Sequence, residues 1–384
     1  MDFNLSKEQL LIQQTAREFT DKFLAPLVDQ IEEEHSIPME VFQKAGEHGL
    51  LGIPFPEEVG GAGGGYDGYV LAVEQIGRVS SSLAMAIAAH TLGLACFDVF
   101  GTQAQRQAAL PSGCSGELIA SFAFTEPTTG SDPKQITATA RRDGDWYILN
   151  GTKRFITNAA YPGYLGVVVK ESETGQLATF MVDKRSAGYS TSKPWRKLAM
   201  HGGQLLDLYF EDYRVPAANL MGQIGDGYKQ LLAGIGFGKL GMAAYSLGLA
   251  QGAYDDALAY CMSKLHRGTP ILAKFQALQL MLADIYEKLT AIRLMLYKTA
   301  TDANWAAKKN PAVFARECAA TKDFVTGTAR EIVNTALDMH GCYGLMEDYP
   351  IARRYREAVM FPQIEGPAHI QKVIVANSII AAYQ

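Results

Sequence analysis

The chain is poor in the features that mark special environments. Its 384 residues hold five cysteines (Cys96, Cys114, Cys261, Cys318 and Cys342), odd in number and scattered, with no C-x-x-C pair and no Cys/His cluster. That spacing excludes a disulfide framework and a cysteine-based zinc site. The seven histidines never fall as H-E-x-x-H, so no metal site is expected. Blocks of like charge are missing, and the net charge of −5 leaves no basic footprint for nucleic acid. The opening MDFNLSKEQL has neither the basic-then-apolar layout of a signal peptide nor the Arg-rich character of a transit peptide, so a cytoplasmic setting is expected. One stretch, Ser82 to Gly101, is apolar for about a membrane-spanning length. His90 and Asp98 interrupt it, and its small residues suit close packing, so it reads as a core helix and no membrane span is expected.

What is present is apolar bulk, 48% of the residues, enough for a large core divided into two or three domains. Helix begins at once: Ser6 and Gln9 form an S-x-x-Q capping box, with Leu5 and Leu10 placed as a hydrophobic staple. Apolar residues then recur at helical spacing, with further helices expected near 39–50, 67–79, 82–100 and 102–111. From 120 to about 225 the period changes to two. Trp146–Leu149, Asn150-Gly151 and Thr152–Ile156 read as a hairpin, because Asn-Gly adopts the positive φ angles of a type I′ turn. Strands are expected at 165–170, 177–183 and 206–210. After 226 long helical periodicity returns. The reading is an α+β, mainly α chain: an N-terminal helical domain (1–119), a small antiparallel β-barrel or sheet domain (120–225) and a C-terminal four-helix bundle (226–384).

Several local motifs carry little. Gly63-Gly-Gly65-Tyr-Asp-Gly68 satisfies G-x-G-x-x-G, but Ile53-Pro-Phe-Pro-Glu57 before it is no buried strand, so a glycine-rich turn is expected. Ala244-Tyr-Ser246-Leu-Gly248 lacks the first glycine of a nucleophile elbow. Two stretches carry more. Phe122–Asp132 (FAFTEPTTGSD) sits where helix gives way to strand; its hydroxyls and its Pro and Gly breaks suit either a ligand-facing joint or an ordinary polar loop. Glu365, in FPQIEGPAH, interrupts an apolar helical region. It is either a desolvated base with a raised pKa or a solvated glutamate at a helix end.

Six stretches, in order, together resemble the acyl-CoA dehydrogenase family: FAFTEPTTGSD at 122–132, LNGTKRFITN at 149–158, FEDYRVP at 210–216, GLAQGA at 248–253, GLMEDYP at 344–350 and IEG at 364–366. The resemblance spans essentially the whole chain. It implies an FAD enzyme that oxidises an acyl-CoA thioester, a homotetramer arranged as a dimer of dimers, and electron-transfer flavoprotein as electron acceptor. On matching positions it assigns Phe122, Thr125 and Ser131 to the flavin and pyrophosphate, and Phe155 and Thr157 to the region near N5. Lys264, Gln276, Asp338, Gly341, Cys342, Pro367 and His369 fall to the far side of the FAD. Glu365 takes the position of the base, with Ser131, Lys239 and Gly366 on the substrate side. His90 either lines the acyl pocket or is a satisfied core histidine.

The departures are specific. Lys264 stands where the family usually has arginine, keeping the charge but losing the bidentate fork. Asp338 replaces a glutamine, Cys342 a glycine, and Pro367 a threonine, with neither hydroxyl nor N–H to offer. Gly236 and Lys239 replace an Asp and an Arg. Two alternatives therefore stand beside the main reading: an acyl or aminoacyl thioester on a carrier protein, and a flavin-poor thioester-binding or lyase relative.

Overall fold

The computed structural model describes residues 4–383, apart from the side chains of 305–309. Six helices come first: α1 (Lys7–Phe19), α2 (Val28–Glu33), α3 (Met39–Glu47), α4 (Gly65–Val79), α5 (Ser81–Phe100) and α6 (Gln103–Cys114). The expected capping box opens α1, with Gln9 N donating to Ser6 Oγ at 3.2 Å and Ser6 N to Gln9 Oε1 at 2.8 Å. Thr102 and Gln105 form a second box at the start of α6. The G-x-G-x-x-G segment is a turn leading into α4, with no strand before it.

Eight strands follow: β1 (Ser121–Ala123), β2 (Thr139–Asp143), β3 (Trp146–Thr157), β4 (Tyr164–Glu171), β5 (Leu177–Asp183), β6 (Tyr189–Thr191), β7 (Leu205–Pro216) and β8 (Leu220–Met221). They form one sheet in the order β6-β7-β3-β2-β4-β5-β8, with β1 on β4. The sheet is mostly antiparallel, but β1–β4 and β2–β4 are parallel, so it is mixed. Its interior is a separate core that includes Leu149, Val167, Phe180, Leu208 and Val215.

The Asn150-Gly151 hairpin does not form. β3 runs through both residues, and its register against β7 shifts between Leu149 and Gly151. The Asn150 amide is tied to β7, donating to Asp212 Oδ1 at 3.0 Å and accepting from Asp212 N at 2.9 Å. Gly151, at φ 140°, is needed for close approach, since a Cβ there would lie 2.6 Å from Ala138 Cβ. The true turn is Gly144-Asp145 between β2 and β3, where Gly144 has φ 60°.

The rest is helical apart from a short antiparallel hairpin of β9 (Leu265–His266) and β10 (Thr269–Pro270): α7 (Gly227–Ser263), α8 (Ile271–Lys274), α9 (Gln276–Lys309), α10 (Pro311–His340), α11 (Pro350–Met360) and α12 (Ala368–Tyr383). α10 packs on α7, α9 and α12, giving the four-helix bundle, and α7 also packs on α4 and α5, so one apolar core runs through both helical parts. Two helices, α5 and α7, are long and apolar enough to cross a membrane, yet both lie mostly buried inside the fold.

Candidate active site

Three glycines on one face of α7 organise the site: Gly234, Gly238 and Gly241, spaced at helical intervals. A Cβ at Gly234 would lie 3.8 Å from the Phe122 ring and closer still to Cys96 Sγ. At Gly238 it would meet Leu92 Cδ1 at 2.6 Å and Glu365 Oε2 at 2.9 Å, and at Gly241 Tyr69 Oη at 2.5 Å and Ala88 Cβ at 2.7 Å. Successive turns of the helix are thus bare where the 122–132 segment, the Glu365 carboxylate and the Tyr69 phenol approach. No side chain larger than hydrogen fits at 238 without moving the carboxylate.

Glu365 lies in the break between α11 and α12. Its φ of 53° is left-handed, rare for a residue with a Cβ, and Gly366 follows at 87°. Such paired strain persists only when the surroundings over-determine it. Lys322 of α10 supplies the clamp: fully buried, it donates to Gly366 O at 2.9 Å and Pro362 O at 3.3 Å. Gln371 Nε2 adds a bond to Gly366 O at 2.9 Å. Among the described residues the Glu365 N–H finds no acceptor. Burial raises the Glu365 pKa above the usual carboxylate value, and Lys322 and Lys239 oppose that rise. Burial pushes Lys322 itself down to about 8. Lys239 is 4% exposed and also lowered by burial, with Cys318 and Glu365 opposing. Desolvation thus favours the neutral carboxyl, and the two nearby lysines favour its ionised form.

The 122–132 segment is pinned by a buried ion pair. Lys153 Nζ donates to Glu126 Oε1 at 2.8 Å with both side chains inaccessible, and Glu126 also accepts from Thr137 N, Thr137 Oγ1 and Ala138 N at 2.6–2.9 Å. Desolvation works against the Glu126 charge, but these contacts hold its carboxyl below the usual range. The next residues of β3 carry a bulge. Phe155 has φ 60°, and its ring, 51% exposed, lies 5.5 Å from that of Trp195. Asp207 fixes this aromatic pair, taking a bond from Trp195 Nε1 at 2.9 Å and a bidentate grip from Arg154. Arg154 N bonds Thr125 O at 2.8 Å, which joins the loop to the bulge. The hydroxyls of Thr125, Ser131 and Thr157 make no hydrogen bond among the described residues.

Three family models match the chain: the acyl-CoA dehydrogenase N-terminal domain over 6–117, the middle domain over 121–213 and the C-terminal domain over 225–380. The chain belongs to the acyl-CoA dehydrogenase family. It is similar to "Probable acyl-CoA dehydrogenase YngJ" of Bacillus subtilis, 36% identical over 99% of this chain and 100% of that protein. Among solved structures it is similar to a chain in "Electron transferring flavoprotein of Acidaminococcus fermentans", at TM-score 0.94 and 34% identity, covering 99% and 100% of the two chains. It also resembles butyryl-CoA dehydrogenase from Megasphaera elsdenii, at TM-score 0.93 and 30% identity, with the same coverage.

Within this acyl-CoA dehydrogenase, the hydrogen bonds of His90 favour the second of its two readings, a satisfied core histidine, over a pocket residue. His90 has no nitrogen free for a pocket: its Nδ1 accepts from Ala120 N at 2.8 Å, which leaves Nε2–H to donate to Gly113 O at 3.1 Å. Burial drives its pKa down to about 4, so it is a neutral core histidine joining α5 to α6 and to the residue just before β1. A second group gathers at the end of the bundle. The Lys264 ammonium lies 4.5 Å from the Tyr343 ring centre; Gly341, at φ 57°, ends α10; Asp338 lies one turn before, and Cys342 is exposed beside them. Gln276 opens α9, and Pro367 immediately precedes α12, its carbonyl accepting from Ile370 N and Gln371 N. His369 is exposed in the first turn of α12.

Sequence reasoning missed Lys322, Tyr69, Trp195 and the Lys153–Glu126 pair. A lone lysine on the Cys318–Ala319–Val325 face of α10 was a visible signal for the first. Nothing in the sequence around Trp195 announced a partner for Phe155.

Proposed function

We propose that the enzyme oxidises an acyl-CoA thioester between Cα and Cβ to the trans-2-enoyl thioester, with FAD as its cofactor and Glu365 as the base. The observation that carries this reading is the Glu365 carboxylate held over bare Gly238, desolvated and flanked by Lys322 and Lys239. The thioester carbonyl would accept a hydrogen bond from the Glu365 N–H, stabilising negative charge as it develops on the oxygen and acidifying the Cα proton. The carboxylate then takes that proton. When bound, FAD supplies the acceptor for the hydride leaving Cβ.

The residues on the β-domain side fit such a group. An exposed aromatic pair fixed by Asp207 offers a surface for a planar ring, and the unspent hydroxyls of Thr125, Thr157 and Ser131 offer polar contacts. On the far side, Lys264, Asp338, Gly341 and Cys342 would complete the site at a subunit contact. Ser131 and Gly366 are assigned to the thioester chain, and electron-transfer flavoprotein is the electron acceptor this reading implies. A homotetramer is part of the proposal, because α9 and α12 leave Leu280, Tyr286, Leu294, Val373, Ile379 and Ile380 exposed.

The test is optical. Purified protein should carry flavin absorbance, and an acyl-CoA thioester should bleach it anaerobically. Glu365→Gln should keep the flavin and lose roughly 10²–10⁴-fold in the bleaching rate, the usual contribution of a positioned base. Unchanged bleaching would remove Glu365 from the mechanism.

A further inference from the structure

The bulge in β3 is built around one buried carboxylate. Pairing with β7 steps from Lys153–Leu208 to Ile156–Leu206, so Arg154 and Phe155 together face the single residue Asp207. Asp207 is only 4% exposed, and both of its carboxylate oxygens are engaged. Oδ2 accepts from Arg154 Nη2 at 2.8 Å and Oδ1 from Trp195 Nε1 at 2.9 Å, while the Phe155 N–H further favours the anion. The Asp207 backbone holds Ser192, whose N–H donates to Asp207 O at 2.9 Å and whose Oγ accepts from Asp207 N at 3.0 Å. One residue of β7 thus grips both the bulge and the 192–195 segment.

What these bonds hold is on the surface. Phe155 is about half exposed and Trp195 43% exposed, with the Arg154 guanidinium 5.9 Å and 5.2 Å from the two ring centres. The cation and the carboxylate therefore fix the angle of the rings together. Phe155 also keeps a left-handed backbone, a strain that persists only where the surroundings impose it. A buried ion pair and a strained bulge here serve to display two aromatic rings rather than to bury them. Polar groups adjoin the rings. Thr157 follows Phe155 by two residues, and Thr125 O accepts from Arg154 N at 2.8 Å. Neither threonine hydroxyl has a partner among the described residues. A flat apolar face beside free hydroxyls matches a planar heteroaromatic ring with polar edges.

Resting on the FAD reading above, we infer that Trp195 is a flavin-binding residue and that Asp207 is its positioning residue, holding the Phe155–Trp195 wall where it covers the flavin ring.

The holoenzyme and its variants would be compared by the FAD dissociation constant, from flavin emission on dilution, and by the visible absorbance of the bound flavin. Trp195→Ala should raise the dissociation constant about ten-fold, the scale of one aromatic contact, and move the flavin bands toward those of free FAD. Trp195→Phe keeps a ring but loses the Nε1 donor, so it should fall between wild type and Trp195→Ala. Asp207→Ala should weaken FAD to a similar extent. Combined with Trp195→Ala it should lose less than the sum of the two, because the carboxylate acts through the indole. Where Asp207→Ala does not fold, the two changes at the exposed Trp195 side chain carry the test. An unchanged dissociation constant and spectrum in Trp195→Ala overturns the inference while the FAD reading stands. So does a changed oligomeric mass at unaltered FAD affinity, which would make the pair a subunit contact. Fully additive losses would overturn the positioning role of Asp207. Wild-type protein that binds no FAD overturns both the inference and the reading beneath it.

Discussion

At the level of single residues, the site depends on a balance around one carboxylate. Burial favours protonated Glu365, and Lys322 is the largest influence in the opposite direction. Removing that cation raises the Glu365 pKa further. Only the ionised form accepts the Cα proton, so activity rises with pH through that pKa. Lys322→Met should therefore move the acidic limb of the kcat profile to higher pH, and Lys322→Arg should leave it near the wild-type position. An unshifted limb in the methionine variant would show that Lys322 serves the loop alone. The lysine is also the loop's clamp, through Pro362 O and Gly366 O, so thermal unfolding of each variant belongs beside the profiles. Gly238 belongs to the same balance, as the absence of a side chain there gives the carboxylate its place.

Among the elements, β3 does the most. It was misread as two strands because Asn-Gly is the strongest short hairpin signal. What won was tertiary context: a bulge stabilised by Asn150–Asp212 and by the approach of Ala138 to Gly151. The helices were legible because apolar periodicity and capping residues act locally, and α1 and α3–α6 lie close to where spacing put them. Glu365 was visible as a carboxylate at a break, but its desolvation was not, since Gly238, Lys239 and Lys322 come from distant segments. β3 also carries Lys153, whose ammonium is the buried partner of Glu126. Lys153→Met leaves that carboxylate uncompensated in the interior and should cost about 3–5 kcal/mol in urea unfolding. The 122–132 loop should loosen with it, read as a weaker affinity for FAD. A loss below 1 kcal/mol would mean that Glu126 is held by the Thr137 and Ala138 bonds alone.

For the whole molecule, the exposed aliphatic residues of α12 bear on assembly. Val373, Ile379 and Ile380 are each more than half exposed, on a chain whose net charge is only −5. Isolated apolar residues on a surface need no explanation, but a patch of them marks an interaction face. Light scattering should give a mass that is a multiple of 41.8 kDa. The double change Ile379→Asp with Ile380→Asp should reduce it, while leaving the circular dichroism of the helices in place. A wild-type mass of one chain would exclude the tetramer.

The burial of α5 has a consequence for how the protein is made. This helix is enclosed along most of its length, and part of its cover is α7, which leaves the ribosome only after the entire β domain. Until then a nascent chain displays twenty residues apolar enough to be taken for a membrane segment. Synthesis thus has a vulnerable interval, in which chaperone binding competes with aggregation and mistargeting. A fragment ending at residue 225 should bind hydrophobic dye strongly and precipitate unless a holding chaperone is present. A monomeric, dye-silent fragment would show that the N-terminal helices close over α5 without α7.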